Sequence, residues 1–168
     1  MSASGVHVVL VEPEIPGNTG NVGRTCVATG SALHLVGRLG FSLDDKYLKR
    51  SGLDYWPNVD LKIHKDWDSF LETLPEDARL YFFEKDGPRN FWDAEFAPES
   101  YLVFGSETSG FSKRILEENG DLFIRIPMTG PVRSLNLSSS AAVAVYEALR
   151  QMNAVVVGNG RDRSLPHR

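Results

Sequence analysis

Short apolar runs that favour β-structure alternate with helical patterns along almost the whole chain, and this alternation limits the possible folds most. Six runs are rich in β-branched or aromatic residues and are bounded by Gly, Pro or Asp, which is typical of strands. They are Val6–Val11, Leu33–Val36, Val59–Ile63, Leu80–Phe83, Tyr101–Phe104 and Leu122–Ile126. Because the runs are almost continuously apolar, both faces of the sheet should be covered. The sequence therefore predicts an α/β fold with a mostly parallel, six-stranded sheet.

Helical patterns occupy the segments between the predicted strands. Each has a residue that can cap its start or stop its end, such as Asp66, Ser112 or Gly30. The predicted helices are Asn21–Thr29, a short one from Ser42 towards Arg50, Trp67–Leu74, Lys113–Glu118, and a last one from Ser138 to Met152. The last helix is apolar on all sides from Ala141 to Val145, which indicates burial. That burial is consistent either with the monomer core or with contact to a second subunit.

Length and composition suit one domain. The chain has 168 residues, and we expect a domain over residues 1–156 followed by a disordered tail over 157–168. Its N-terminus lacks the basic flank of a signal peptide, and no run approaches the roughly 18 apolar residues of a membrane span. A single cysteine, Cys26, fits a reducing compartment. These features favour a cytoplasmic protein.

Charge gives an ambiguous indication about nucleic acid. The formal net charge is −4, whereas proteins that bind nucleic acid usually carry a basic excess. Lys46–Arg50 and the C-terminal tail are locally basic, however. They are either a solvated helix face and a frayed end, or part of a basic patch.

The first of three polar loops, Pro16–Arg24, is predicted to follow strand one and to open a helix. Gly17, Gly20 and Gly23 do not match the G-x-G-x-x-G spacing of dinucleotide-binding loops. No G-x-x-x-x-G-K-[ST] motif occurs in the chain either, so a P-loop is excluded. The loop is therefore either a generic glycine-rich turn or an anion site at a helix N-terminus.

Two further polar loops follow predicted strands. Phe104–Gly110 places Glu107 between two glycines, and Ile126–Ser140 leads into the last helix. Polar groups between apolar walls at strand ends suit a small-molecule site, although Ser134 and Asn136 could equally be capping residues. We expect no metal site, because His7, His34, His64 and His167 lie far apart in the sequence without ligand-like spacing. His7 and His34 are expected to be core or edge residues.

Taken together, the three loops resemble the motifs of the SpoU branch of the SPOUT methyltransferases. The matching patterns are N-x-x-x-x-x-R (Asn18–Arg24), F-G-x-E-x-x-G (Phe104–Gly110) and I-P-M … R-S-L-N-x-S (Ile126–Ser138). Residues 40–56 and 144–151 are similar to the minimal TrmL family within that branch. The resemblance extends over roughly residues 6–152.

This resemblance implies properties that residue patterns alone do not. The family folds into a parallel α/β sheet with a deep C-terminal trefoil knot and forms homodimers. It uses S-adenosylmethionine, and no metal, to methylate the ribose 2′-hydroxyl of the wobble nucleotide, a cytidine or modified uridine at position 34 of the tRNA anticodon loop. Another tRNA or rRNA site, a nucleotide-dependent oxidoreductase on a Rossmann-like sheet and a non-catalytic RNA-binding protein remain alternatives.

The resemblance also assigns roles to individual residues. Arg24 and Asn136 are the predicted catalytic residues. Because a guanidinium stays protonated, Arg24 should position a phosphate or the hydroxyl rather than act as a base, with proton removal shared with the RNA phosphate or Asn136. Its alternative role is an ion pair on a helix surface. The residues expected to bind the cofactor are Phe83, Gly105, Glu107, Ile126, Met128, Ser134, Leu135 and Asn136. Those expected to contact RNA are Asn18, Arg24, Lys46, Lys49, Arg50, Arg133 and Arg150.

Overall fold

The protein is built around a parallel β-sheet. The computed structural model describes residue 2 and residues 4–43 and 54–152. Within these residues the sheet has seven strands: β1 (Val6–Val11), β2 (Ala32–Val36), β3 (Asp60–His64), β4 (Arg79–Phe83), β5 (Arg89–Asn90), β6 (Ser100–Phe104) and β7 (Phe123–Arg125). Their order is β3-β2-β1-β6-β4-β7-β5, and every pair of neighbours is parallel. The carboxyl ends of all strands therefore lie at one edge.

Four α-helices cover the sheet in the described part of the chain: α1 (Pro16–Thr29), α2 (Trp67–Leu71), α3 (Lys113–Asn119) and α4 (Leu137–Gln151). Short 3₁₀ turns occur at Trp56–Asn58, Phe91–Asp93 and Gly120–Leu122. None of the described helices is long and apolar enough to cross a membrane.

Alternate residues of the central strands feed two separate cores. Val8 and Leu10 of β1 belong to a cluster with α1 and α4, whereas Val9 and Val11 belong to a cluster with α2 and α3. Every residue of β1, β2 and β6 is buried. The prediction that the strands are covered on both faces is confirmed for the centre of the sheet, and the cores hold the strand ends in fixed positions.

The predicted strands all occur, with shifts of one or two residues at their ends. The predicted number of strands was wrong, because β5 makes the sheet seven-stranded. This strand has two polar residues, Arg89 and Asn90, and exists through its pairing with β7. A strand of that kind leaves no apolar run in the sequence.

The prediction of a glycine-rich loop over Pro16–Arg24 was also wrong. These residues form the first turns of α1, which begins five residues earlier than expected. Pro16 occupies the first helical turn, where its missing N–H costs nothing. The helix ends as predicted at Gly30, whose φ of 66° is the left-handed conformation that glycine tolerates.

The remaining helices agree closely with the sequence predictions. Asp66 and Ser112 cap α2 and α3 as expected, although α2 ends at Leu71 rather than Leu74. In α4, Ala141, Ala144 and Val145 are buried, while Val143 and Tyr146 are 41% and 53% exposed. The helix is therefore buried on one face only, and its exposed face keeps apolar side chains. The helix predicted from Ser42 towards Arg50, and the tail over residues 157–168, lie largely or wholly outside the described residues.

Candidate active site

A cavity of about 520 Å³ opens at the carboxyl ends of β4, β6 and β7. The loops that follow neighbouring parallel strands meet at this edge, which is where α/β proteins bind ligands. All eight residues predicted to bind the cofactor line it: Phe83, Gly105, Glu107, Ile126, Met128, Ser134, Leu135 and Asn136. Three segments separated in sequence thus contribute to one site.

Aromatic and aliphatic side chains form the floor of the cavity. Phe83 and Phe104, at the ends of adjacent strands, stack with their ring centroids 4.8 Å apart and their planes 12° from parallel. Ile124 of β7 and Ile126, the first residue of the third segment, complete this apolar surface. Phe104 and Ile124 were not among the predicted site residues; the position of Phe104 at the end of a predicted strand was a usable signal, whereas Ile124 lies inside one.

Glu107 connects the second loop to the start of α1. Its Oε2 accepts a hydrogen bond from the Glu14 amide at 2.8 Å, and its Oε1 accepts from the Ile15 amide and from Asn18 Nδ2, both at 3.1 Å. Ile15 precedes the helix and has no polar side-chain atom with which to cap it. The Glu107 carboxylate instead binds the two amides just before the helix and faces the positive end of the helix dipole.

An amide–amide contact joins α1 to the third segment. Asn136 Nδ2 donates to Asn18 Oδ1 at 2.9 Å, and Asn136 Oδ1 accepts from the amide and hydroxyl of Ser138 at 2.9 and 2.7 Å. Asn136 is therefore the N-cap of α4 and also lines the cavity. The two roles that the sequence left as alternatives are compatible.

The second loop turns tightly at its glycines. Ser106 and Gly110 exchange two backbone hydrogen bonds of 3.0 Å, and Gly110 has a φ of 66°. A Cβ atom added to Gly105 would lie 2.5 Å from the carbonyl carbon of Gly110, so only glycine fits there. This close approach of two backbone segments exposes main-chain groups to the cavity.

Arg24 lies on α1 but does not line the cavity. It follows Asn18 by six residues, which is about 9 Å along a helix and a different face of it. Its guanidinium lies over the ring of Tyr55, 4.9 Å from the ring centroid. The structure therefore separates this predicted catalytic residue from the cofactor residues of its own chain.

The predicted RNA contacts fall into three groups. Asn18 and Arg133 line the cavity. Arg150, on the exposed side of α4, pairs with Glu147 of the same helix at 2.8 Å, and this pairing raises the pKa of Arg150. The predicted contacts Lys46, Lys49 and Arg50 lie outside the described residues. One cation of the cavity wall was missed: Lys85, which follows β4 and pairs with Asp86 at 2.8 Å.

Three histidines that lie far apart in the sequence meet in the core. His34 contacts His7 through one ring nitrogen and His64 through the other, both at 3.0 Å, and His7 Nε2 lies 3.3 Å from Glu99. All three histidines are buried, and burial is the main cause that lowers the pKa of each. The expectation for His7 and His34 as core residues is confirmed. Among the described residues, no group of three His, Cys, Asp or Glu could hold a metal ion.

Comparison with known proteins identifies the family in which these three segments surround one cavity. The sequence model of the SpoU rRNA methylase family matches residues 5–146. The chain belongs to the SpoU methylase family. A Rossmann-type oxidoreductase, one of the alternatives left open by the sequence, is thereby excluded.

Individual relatives of this SpoU methylase agree with the family match. It is 49% identical over 151 residues to a protein of Geobacillus stearothermophilus with the provisional name tRNA (cytidine(34)-2′-O)-methyltransferase, and the match covers 88% of this chain and 96% of that protein. It is 48% identical to a solved structure concerned with the 2-OH methylation of C/U34 on tRNA, with a TM-score of 0.83 and coverage of 89% and 91%.

A more distant structure shares the fold of this SpoU methylase. It is the SpoU methyltransferase AviRb from Streptomyces viridochromogenes in complex with AdoMet, with a TM-score of 0.75 and 24% identity. The match covers 88% of this chain and 58% of that one. The fold described above is thus shared with a solved SpoU methyltransferase.

Proposed function

We propose that this protein transfers a methyl group from S-adenosylmethionine to the ribose 2′-hydroxyl of the wobble nucleotide, position 34, in a tRNA anticodon loop. The observation that carries the proposal is the convergence of Phe83, Gly105 and Ser134, from three separate segments, on one cavity. The relatives' names point to the same nucleotide, and their similarity spans nearly their whole length.

The cavity has the properties that S-adenosylmethionine requires. Its volume of about 520 Å³ lies within the usual range for ligand sites. The Phe83 and Phe104 surface suits the adenine ring, and the main-chain groups exposed by the Gly105–Gly110 turn can bind its polar edge. When bound, the cofactor supplies a methyl group that is already activated by the sulfonium charge.

The residues of the chain must therefore act mainly on the acceptor. A ribose hydroxyl is a weak acid, so the site has to orient it and stabilise the negative charge that develops on its oxygen. Arg24 lies outside the cavity, so its positive charge acts on the bound RNA strand, where it can bind the phosphate adjacent to the target ribose. Asn136, whose side-chain atoms already bind Asn18 and Ser138, contributes by holding the wall of the cavity rather than by accepting the proton.

RNA binding and dimerisation belong to the same proposal. Asn18 and Arg133 line the cavity and can contact an RNA strand that enters it, and Lys46, Lys49, Arg50 and Arg150 are further proposed RNA contacts. The exposed Val143 and Tyr146 of α4 support a homodimer, because burial of such apolar side chains stabilises an interface. The enzyme would act in the cytoplasm, where Cys26 stays reduced. The trefoil knot remains a prediction from the family resemblance.

Methylation of synthetic anticodon stem-loops tests the proposal directly. An RNA with cytidine at position 34 should accept a labelled methyl group, whereas the same RNA with dC34 should accept none, because it lacks the 2′-hydroxyl. RNA with uridine at position 34 should accept methyl groups as well. Methylation of the dC34 RNA at an equal rate would show that another nucleotide or a base atom is the acceptor.

The Arg24→Ala variant tests the assigned mechanism. It should bind S-adenosylhomocysteine with unchanged affinity, because Arg24 lies outside the cofactor cavity. It should lose methyl transfer, because the charge that acts on the RNA is removed. Full turnover by this variant would contradict the role of Arg24, while loss of both properties would indicate a damaged fold. Absence of transfer by the unmodified enzyme to any tRNA or rRNA would favour a non-catalytic RNA-binding protein.

A further inference from the structure

Residues 55–59 form a compact turn packed against the helix that carries Arg24. The Asn58 amide donates to the Tyr55 carbonyl at 2.9 Å, and the Val59 amide donates to the Trp56 carbonyl at 3.1 Å. Trp56 fits against Gly23 of α1: a Cβ on that glycine would lie 2.7 Å from Cζ3 of the indole. The absence of a side chain at Gly23 therefore lets this turn lie directly on α1.

Tyr55 contacts α1 through both its hydroxyl and its ring. Its hydroxyl donates to the Gly20 carbonyl at 2.6 Å, and its ring lies beneath the Arg24 guanidinium at 4.9 Å. In an α-helix the carbonyl of residue 20 also accepts from the amide of residue 24. Tyr55 thus binds the helical turn that carries Arg24, with its hydroxyl on the backbone of that turn and its ring against the guanidinium.

This contact has a consequence for an arginine that must act on RNA. Arg24 is exposed, and an arginine side chain has considerable rotamer entropy to lose when it binds a ligand. The face of an aromatic ring attracts a guanidinium and restricts it to positions above the ring. An arginine restricted before the RNA binds loses less entropy when it reaches the ribose or phosphate.

We propose that Tyr55 is a positioning residue for methyl transfer, because its ring holds the Arg24 guanidinium ready for the RNA backbone beside the target ribose. The inference rests on the proposed function, in which Arg24 acts on the methyl acceptor. It gives a reason for one glycine of the first motif, because Gly23 makes room for Trp56 and so lets Tyr55 reach the Gly20 carbonyl.

The test compares two substitutions of Tyr55 in single-turnover methyl transfer. Tyr55→Leu removes the ring, and we expect about a fivefold lower rate constant from the loss of a cation–π contact at an exposed site. Tyr55→Phe keeps the ring but loses the hydroxyl, so its rate should stay within roughly twofold of the unmodified enzyme. The KM for tRNA and the affinity for S-adenosylhomocysteine should not change in either variant.

A matched control is Tyr81→Phe. The Tyr81 hydroxyl also donates to a backbone carbonyl, that of Glu95 at 2.9 Å, but the residue belongs to the core beneath the sheet. This substitution should leave the transfer rate unchanged. If Tyr55→Leu fails to fold, Tyr55→Trp replaces it, because it keeps an aromatic face and should retain the rate within roughly twofold.

Three results would overturn the inference: an unchanged rate for Tyr55→Leu, an equal loss for Tyr55→Phe or Tyr55→Trp, or a parallel loss of cofactor affinity. Failure of the proposed function would look different. If Arg24→Ala keeps full turnover, the catalytic role of Arg24 is wrong; if Arg24→Ala is inactive and Tyr55→Leu is fully active, only the role of Tyr55 is wrong.

Discussion

Asn18 and Asn136, which are 118 residues apart, are joined by a hydrogen bond of 2.9 Å. Its direction follows from Glu107, because an ionised carboxylate only accepts hydrogen bonds. Asn18 must therefore turn its Nδ2 towards Glu107 and its Oδ1 towards the Nδ2 of Asn136. One carboxylate thus orients two amides, and the chain of bonds ties together all three sequence motifs.

The first prediction concerns the donor end of this chain. Asn136→Asp keeps an oxygen to cap α4 and adds a negative charge at a helix N-terminus, which offsets part of the lost contact with Asn18, so the melting temperature should fall by no more than about 3 °C. The new carboxylate oxygen would face Asn18 Oδ1 without a proton, and the wall of the cavity should be displaced. We expect about tenfold weaker binding of S-adenosylhomocysteine by calorimetry.

Asn90→Asp is the matched control for that substitution, because the Asn90 side chain also caps a turn, accepting from the Trp92 amide at 3.1 Å. It should not change the affinity. An Asn136→Asp protein that binds S-adenosylhomocysteine normally would show that the contact with Asn18 does not shape the site.

The second prediction concerns the carboxylate itself. Glu107→Gln replaces one accepting oxygen with a donor, which must then face an amide donor of Glu14, Ile15 or Asn18. The unpaired donors should lower the stability by about 1–2 kcal/mol and the melting temperature by about 5 °C. Thermal unfolding followed by circular dichroism measures this shift.

Glu117→Gln provides the comparison. Glu117 pairs with Lys113 on an exposed helix surface, with a nitrogen–oxygen distance of 3.5 Å. Such pairs contribute little, so the melting temperature should change by about 1 °C or less. Equal shifts for the two glutamine variants would contradict the role of Glu107 at the start of α1.

The third prediction concerns the tight turn of the second loop. In Gly105→Ala the added Cβ would overlap backbone atoms of Gly110 and Phe111, which are 2.5 and 2.8 Å away. Because no flexible side chain can yield, we expect a loss of about 2 kcal/mol in urea unfolding, together with loss of cofactor binding.

Gly17→Ala tests whether any alanine would have this effect. A Cβ at Gly17 meets nothing within 4 Å, and alanine favours the helix. This variant should be as stable as the unmodified protein, or more stable by about 0.5 kcal/mol. If both substitutions cost the same, backbone overlap at Gly105 is not the cause.

The fourth prediction concerns the dependence of stability on pH. Burial lowers the pKa of His34 to about 3, with smaller contributions from His7, His64 and Lys62. The unfolded chain binds a proton near pH 6.5, whereas the folded protein does not, so protons favour unfolding. Stability from this group is constant above about pH 6.5 and falls by up to about 1.4 kcal/mol per pH unit below it.

His34→Gln isolates this contribution. Glutamine can donate one hydrogen bond and accept another but does not titrate, so its urea unfolding free energy should fall less steeply between pH 6.5 and 4.5. The variant loses ring contacts with Phe70 and Tyr101 and should be less stable at pH 7.5. Parallel pH curves for the two proteins would rule out His34 as the titrating group.

Much of the architecture was predictable because it depends on local patterns. The apolar runs identified six strands, and Asp66, Ser112 and Gly30 marked helix ends through capping rules that involve neighbours within a few residues. The motif order also indicated the family and the residues around the cavity. Both kinds of signal lie within short stretches of sequence.

The features that the sequence missed depend on distant partners. The N-terminal turns of α1 contain glycines that favour a loop locally, yet they are helical, and Glu107, some 90 residues away, binds the amides just before this helix and the Asn18 side chain within it. Arg89 and Asn90 become a strand only by pairing with β7. His7, His34 and His64 meet because parallel pairing places β1, β2 and β3 side by side.

The α/β class, the family and the residue types around one cavity were already readable in the sequence, since they follow from periodicity and motifs. Three features appeared only in the folded protein: Glu107 binds the amides just before α1, Asn136 is both a cap and a wall residue, and Arg24 rests on Tyr55 outside the cavity. They depend on hydrogen bonds or ring contacts between segments far apart in the chain, and packing of the whole sheet sets those distances.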